Sequence, residues 1–255
     1  VIDNPGKVAE YIYSCRQMGI KILPPDINHG YSSFSVDNGS IRYGLAAIKS
    51  IGRPVIKEIV AERKANGEFK NLKDFIERMS GKDINKRTIE NFIKSGAFDE
   101  LGGTRKQFMV IYVQILDQVN REKKNSMTGQ MSLFDIVGEE QKSEFDIPLP
   151  NVGEYEKSTK LAFEKEVLGI YLSGHPMEEY EEQWRKGISK TTQDFQFDEE
   201  LGFSRVSDGA AEIIGGIIAS KTIKYTKNNK TMCFLTIEDI MGSVEVVVFP
   251  RDYER

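Results

Sequence analysis

The sequence predicts an α+β, multidomain chain, mainly helical through its middle and β-rich at its end. Three observations carry this. Between Arg53 and Val119 apolar residues recur three and four apart, the period of amphipathic helices packed on a common core. Beyond Glu212 the composition turns to β-branched residues interrupted by Lys227-Asn228-Asn229 and Met241-Gly242-Ser243, the signature of strands and turns. Charge is also divided. Residues 42–124 hold 18 basic against 11 acidic side chains, and residues 125–212 hold 8 against 19, although the whole chain nets only −4. A basic block followed by an acidic one suits a surface for a polyanion beside one that avoids it.

The elements follow in order. Asn4-Pro5 can start a helix in which Val8, Tyr11, Ile12, Cys15 and Met18 share a face, with Gly19 as its stop. "IKILPPDIN" continues in extended form, because proline disfavours helix at the preceding residue. Phe34 and Val36 face Ile41 and Tyr43 across Asp37-Asn38-Gly39, a β-hairpin pattern. A helix over 53–63 would bury Val55, Ile56, Ile59 and Val60. Asn71, Asn85 and Thr104 are candidate N-caps for three more helices. The first would bury Leu72, Phe75, Ile76 and Met79, the second Ile89, Phe92 and Ile93, and the third Phe108, Ile111, Tyr112, Ile115 and Val119. Further helices are expected near 155–171 and 176–186. Strands are expected near 212–225, 230–238 and 243–249, in the order of the first three strands of an OB-fold barrel.

The stretch from Leu45 to Val60, "LAAIKSIGRPVIKEIV", has the pattern of a helix-hairpin-helix motif. Its turn is where chemistry is possible. A glycine lets backbone approach an anion, and the first amides of the following helix have no intrahelical partners and sit at the positive end of the dipole. Lys49, Ser50, Ile51, Gly52 and Arg53 are therefore candidate contacts to DNA phosphates, which such a site holds without reading a base. Ser50 stands where the usual motif has a first glycine. A partial repeat, "TIENFIKSGAFDELG", places Lys94, Ser95 and Gly96 in an equivalent turn, so the block reads as a tandem motif.

Other classes are disfavoured. No run of 18 apolar residues suits a transmembrane helix, and the first residues do not read as a signal peptide. Cys15 and Cys233 lie far apart, which suits a reducing compartment. His29 and His175 have no Cys or His near them in sequence, so a zinc site is not expected and His175 reads as structural. One loop is unusual: within "NSMTGQMSLFDIVGEE", Gln130, Met131, Ser132, Leu133 and Phe134 bring three large apolar side chains into a polar, glycine-flanked stretch. They can pack on the chain's own domain or serve as a peptide for a partner's pocket.

Five stretches together, "CRQMGIKILPPDIN", "YGLAAIKSIG", "IKSGAFDELG", "QMSLFD" and "EKEVLGIYLSGHP", resemble the C-terminal half of the bacterial replicative DNA polymerase III alpha-subunit family. The resemblance implies five parts: the end of a fingers domain with its hairpin (1–43), a tandem helix-hairpin-helix domain (44–124), a loop with a clamp-binding peptide (125–150), a helical linker (151–210) and the opening strands of an OB-fold (211–255). It implies that Gln130 to Phe134 bind the β sliding clamp, with Leu133 and Phe134 in its pocket and Met131 filling a neighbouring subsite. Duplex DNA is the other expected partner. Single-stranded DNA and clamp-loader or other replisome subunits are expected at the OB-fold region, in a cytoplasmic, nucleoid-associated setting. The family's catalytic aspartates and their Mg2+ lie in a preceding palm domain, so no catalytic residue, metal or cofactor is expected in this stretch. Two alternatives are a helix-hairpin-helix repair factor or nuclease subunit and an RNA-binding protein led by its OB-like end.

Overall fold

The computed structural model describes residues 5–127, 147–198 and 202–254. They group into two compact units, residues 1–19 with 174–255 and residues 20–173. No helix among the described residues is long and apolar enough to cross a membrane. The mixed α+β class expected from the sequence is the class observed, a helical unit followed in sequence by a small β segment.

The 20–173 unit opens on a small sheet. Strand β1 (Ile22–Leu23) pairs parallel with β3 (Ser40–Arg42), which pairs antiparallel with β2 (Ser35–Asp37). The β2–β3 turn is Asn38-Gly39, with φ of 48° and 79°. Two positive φ values in a two-residue loop match the twist of the strands they join, which is why Asn-Gly is favoured there. The helices follow: α2 (Arg53–Asn66), α3 (Leu72–Met79), α4 (Lys86–Ser95), α5 (Arg105–Met127) and α6 (Lys157–Leu168). The caps expected at Asn71, Asn85 and Thr104 are made, and Asn4, the cap expected for the first helix, lies outside the described residues. Asn71 Oδ1 accepts from Asp74 N at 2.8 Å and Asn85 Oδ1 from Thr88 N at 3.0 Å. Thr104 and Gln107 form a reciprocal pair, each side chain accepting from the other's amide, at 3.2 and 2.9 Å.

The centre of this unit is aromatic. Phe69, Phe75, Phe92, Phe98 and Phe108 are buried, and Phe75 touches three of the others edge-on at 4.9–5.9 Å between ring centroids. Edge-to-face contacts of this kind add about 0.5–1.5 kcal/mol beyond area burial. Ile56, Ile59, Ile76, Met79, Ile89 and Ile93 close around them. The helical spacing read in the sequence is the core face of these helices, except that Val60, expected to be buried, is half-buried and Arg63 takes a buried place on α2.

In the other unit α1 (Pro5–Gln17) buries Val8 and Ile12, whereas Tyr11 and Met18 are exposed. Met18 lies past the end of the helix at Gln17, where Gly19 turns with φ of 73°, and Tyr11 lies off the buried face within it. Farther along lie α7 (Glu181–Gly187), a short pair β4 (Phe197–Asp198) and β5 (Phe203–Ser204), the antiparallel meander β6 (Ile217–Tyr225), β7 (Thr231–Glu238) and β8 (Ser243–Val248), and α8 (Pro250–Tyr253). The meander strands fall where the β-branched runs put them. Buried Asp239 organises their last turn. Its carboxylate accepts from the amides of Met241 and Gly242, and from both the amide and hydroxyl of Thr192 at 2.7 Å.

A polar clasp joins α2 to the loop after α3. Glu62 accepts from Lys82 Nζ at 2.7 Å, Asn66 Nδ2 at 2.7 Å and Arg78 Nε at 3.2 Å. These donors, Lys82 first, hold its carboxyl down at about 2 against an ordinary 4.5. A depressed folded value stabilises the fold fully above the ordinary value and loses that stabilisation as pH falls towards the folded value. The Tm gap between the wild type and Glu62→Gln is therefore expected to be constant above pH 4.5 and to shrink as pH falls towards about 2. Thermal melts of both proteins across that range check it, and a gap that widens on acidification contradicts it.

Candidate nucleic-acid interface

The hairpin sits where the small sheet hands over to the helices. Its first arm is only a 3-10 turn, Leu45–Ala47, where a helix was expected. The reason lies in the amides. Leu45 N donates to Tyr31 O at 2.8 Å and Ala46 N to Ser32 O at 3.1 Å, so they tie the segment to the preceding loop instead of extending a helix. Leu45, Ile48 and Ile51 are buried beneath the turn.

At the turn itself Ser50 has φ of 65°, the left-handed region that glycine adopts without cost. The serine thus keeps the backbone path of the usual motif. Gly52 follows as N-cap of α2 with φ of −74°, and no side chain caps the helix. A Cβ at Gly52 would meet only Pro54 Cδ, at an ordinary 3.5 Å. The fold itself does not require glycine there, and its small size leaves the start of α2 open to close approach. Gly52, Arg53 and Pro54 are exposed, with Lys57 one turn along on the same side. Pro54 has no amide, so the first-turn amides are those of Arg53 and Val55; they, the dipole's positive end and two cationic side chains coincide.

The turn is held from behind. Lys49 N donates to Val167 O at 2.8 Å, Lys49 Nζ to Glu166 O at 2.8 Å, and Asn91 Nδ2 to Lys49 O at 2.7 Å. Lys49 is exposed, but its ammonium already serves the end of α6.

The repeat around 94–96 has a different environment. Lys94 is 12% exposed and its ammonium lies 2.8 Å from both Glu90 and Glu166. Burial works against its charge, but the two carboxylates outweigh it and raise its pKa. Ser95 is fully buried, its hydroxyl donating to Phe92 O at 3.0 Å. Gly96 is a left-handed helix C-cap with φ of 84°, its amide donating to Ile93 O and Phe92 O. A Cβ there would run into the Arg105 guanidinium. This turn is an internal joint, and the exposed turn is that of the first hairpin. Gln130, Met131, Ser132, Leu133 and Phe134 lie outside the described residues.

Sequence reading alone did not identify the site's supports. Glu164, within the "EKEVLG" stretch, is fully buried and accepts from Arg105 Nη1 at 3.4 Å and from the amides of Leu172 and Ser173 at 2.9 and 2.8 Å. Arg105 also grips Asp99 and donates to Lys94 O at 3.1 Å. Burial lowers the guanidinium's pKa, but Asp99 and Glu164 overcome this and raise it. A carboxylate in a helical pattern gives no sign of a partner 59 residues away.

Comparisons with known proteins agree with this geometry. A family profile described as a helix-hairpin-helix motif matches residues 19–108. The DNA polymerase III subunit alpha of Borreliella burgdorferi is 35% identical over 254 residues, all of this chain and 22% of that protein. The corresponding subunit of Saccharopolyspora erythraea is 34% identical over 99% of this chain and 21% of its own length. That of Vibrio cholerae is 33% identical over the whole chain and 21% of its length. The chain thus spans about a fifth of the length of these relatives. It is homologous from end to end with one continuous portion of DNA polymerase III subunit alpha, and that portion contains the helix-hairpin-helix motif.

Proposed function

We propose that this chain is the part of a replicative DNA polymerase that grips duplex DNA through its phosphates and tethers the enzyme to its sliding clamp. The observation that carries the DNA reading is the exposed, uncapped start of α2 behind a left-handed Ser50, with Arg53 and Lys57 beside it. A phosphate placed there accepts from backbone amides and meets two cations, with no base contacted. The hold is independent of sequence, as a polymerase that copies any template requires. Nucleotidyl transfer and its Mg2+ belong, on this reading, to a palm domain elsewhere in the longer protein. The meander at 217–248 is read as the opening of an OB-fold facing single-stranded DNA or other replisome subunits.

Arg53→Glu with Lys57→Glu is expected to weaken duplex binding by tenfold or more at low salt, equally for unrelated sequences. Losing two phosphate contacts should also flatten the log–log salt slope by roughly two. Fluorescence-anisotropy titrations across salt check this, and an unchanged affinity and slope would overturn the hairpin assignment.

The clamp reading rests on the pattern Gln130-Met131-Ser132-Leu133-Phe134. A peptide of residues 128–136 is expected to bind a bacterial sliding clamp. Each of Leu133→Ala and Phe134→Ala should cost about tenfold or more, because burying such a side chain is worth roughly 1.5–3 kcal/mol. In the whole chain the double substitution should leave Tm nearly unchanged. A destabilised chain that still holds the clamp means that these residues serve the chain's own core.

A further inference from the structure

We infer that Asp26, His29 and Glu100 form a binding site for a divalent transition-metal cation of the zinc or manganese type. Their potential ligand atoms all lie within 4.8 Å of one another, although Glu100 is more than 70 residues from the other two in sequence. The imidazole is the centre of the cluster. His29 Nδ1 faces Asp26 Oδ1 at 3.1 Å and Glu100 Oε2 at 3.3 Å. One ring nitrogen confronts two carboxylate oxygens, and a proton on it can be directed at only one of them. A cation serves all three atoms. Bonds of about 2.0–2.2 Å in tetrahedral geometry set ligand atoms about 3.3–3.5 Å apart, close to the two spacings seen.

The other ring nitrogen has a carboxylate nearby: Nε2 lies 3.6 Å from Glu68 Oε1, longer than a hydrogen bond. With a cation on Nδ1 the proton sits on Nε2, and a small movement of Glu68 would let it accept that proton and strengthen the imidazole as a ligand. The scaffold is set by bonds that do not involve the imidazole. Ile27 N donates to Ala97 O, tying the histidine loop to the turn that leads to Glu100. Asn28 exchanges two hydrogen bonds with the backbone of Phe69, at 2.9 and 3.0 Å, which places Glu68 beside the ring. Asp26, 3% exposed, is held by the amides of Asn28 and His29.

Two guanidiniums flank the cluster without occupying its centre: Arg42 bridges Asp37 and Glu100, and Arg63 donates to Ile27 O. Imidazole with carboxylates suits zinc or manganese. The ion would staple the 26–29 loop to the turn at Glu100.

The test uses the metal-stripped 255-residue chain with ZnCl2 or MnCl2 alone. The chain has only two histidines, so His175 is an internal control. Manganese is expected to broaden the imidazole resonances of His29 and spare those of His175, and one equivalent of zinc should raise Tm. His29→Gln and Glu100→Gln, both at partly exposed positions, should each weaken zinc binding at least tenfold and lose the zinc-induced rise in Tm, each measured against its own metal-free Tm. Glu68→Gln should weaken it about tenfold through the outer contact. Unbroadened His29 signals, or zinc binding that is the same in His29→Gln, would overturn the assignment.

Discussion

A single buried carboxylate organises the hairpin unit. Glu164 lies at the middle of α6 with no solvent access, and it is satisfied by the Arg105 guanidinium and the amides of Leu172 and Ser173. Removing two ions from water costs several kcal/mol each, and only good geometry with every remaining lone pair engaged recovers it. Here those conditions are met on both sides, because Arg105 divides its donors among Asp99, Glu164 and Lys94 O. The arrangement tolerates one docking of α6 against α4 and α5, because a displaced α6 would leave a charge buried and unpaired.

That docking determines what the hairpin presents. With α6 in place its last turn meets the hairpin from behind, and Lys49 N reaches Val167 O while Lys49 Nζ reaches Glu166 O. The next turn, Ser50 to Gly52, is then pushed outward with α2 starting from it. The same docking buries the repeat at Lys94 to Gly96, where Glu166 and Glu90 neutralise the lysine. Two similar sequence turns thus have different settings, one exposed and one internal. The difference comes from the partner each meets, with α6 covering one and leaving the other exposed.

Local rules explain which features the sequence revealed. Asn71, Asn85 and Asn38-Gly39 act on residues two or three positions away, so their caps and turn were legible directly. The aromatic core was legible as helical period, because Phe75, Phe92 and Phe108 recur with their aliphatic neighbours on one face each. The missing first helix was not, because the deciding bonds run from Leu45 and Ala46 back to a loop whose course no local pattern gives. Ser50 was read as a departure from the motif, yet its positive φ shows that the backbone accepts it. Glu164, Glu166 and the Asp26–His29–Glu100 cluster stayed hidden for one reason: each depends on side chains brought together across 50 or more residues.

The central claim is that the buried Glu164 docking holds the hairpin turn in place. Site-resolved amide hydrogen exchange of the wild type and Glu164→Gln tests it most directly. The Lys49 amide, on an exposed residue, donates to Val167 O, and those of Leu172 and Ser173 donate to Glu164. The account predicts that all three are protected in the wild type and lose protection together in Glu164→Gln, while amides in the middle of α4 keep theirs. A Lys49 amide that exchanges freely in the wild type, or one whose protection the substitution leaves untouched, would contradict it.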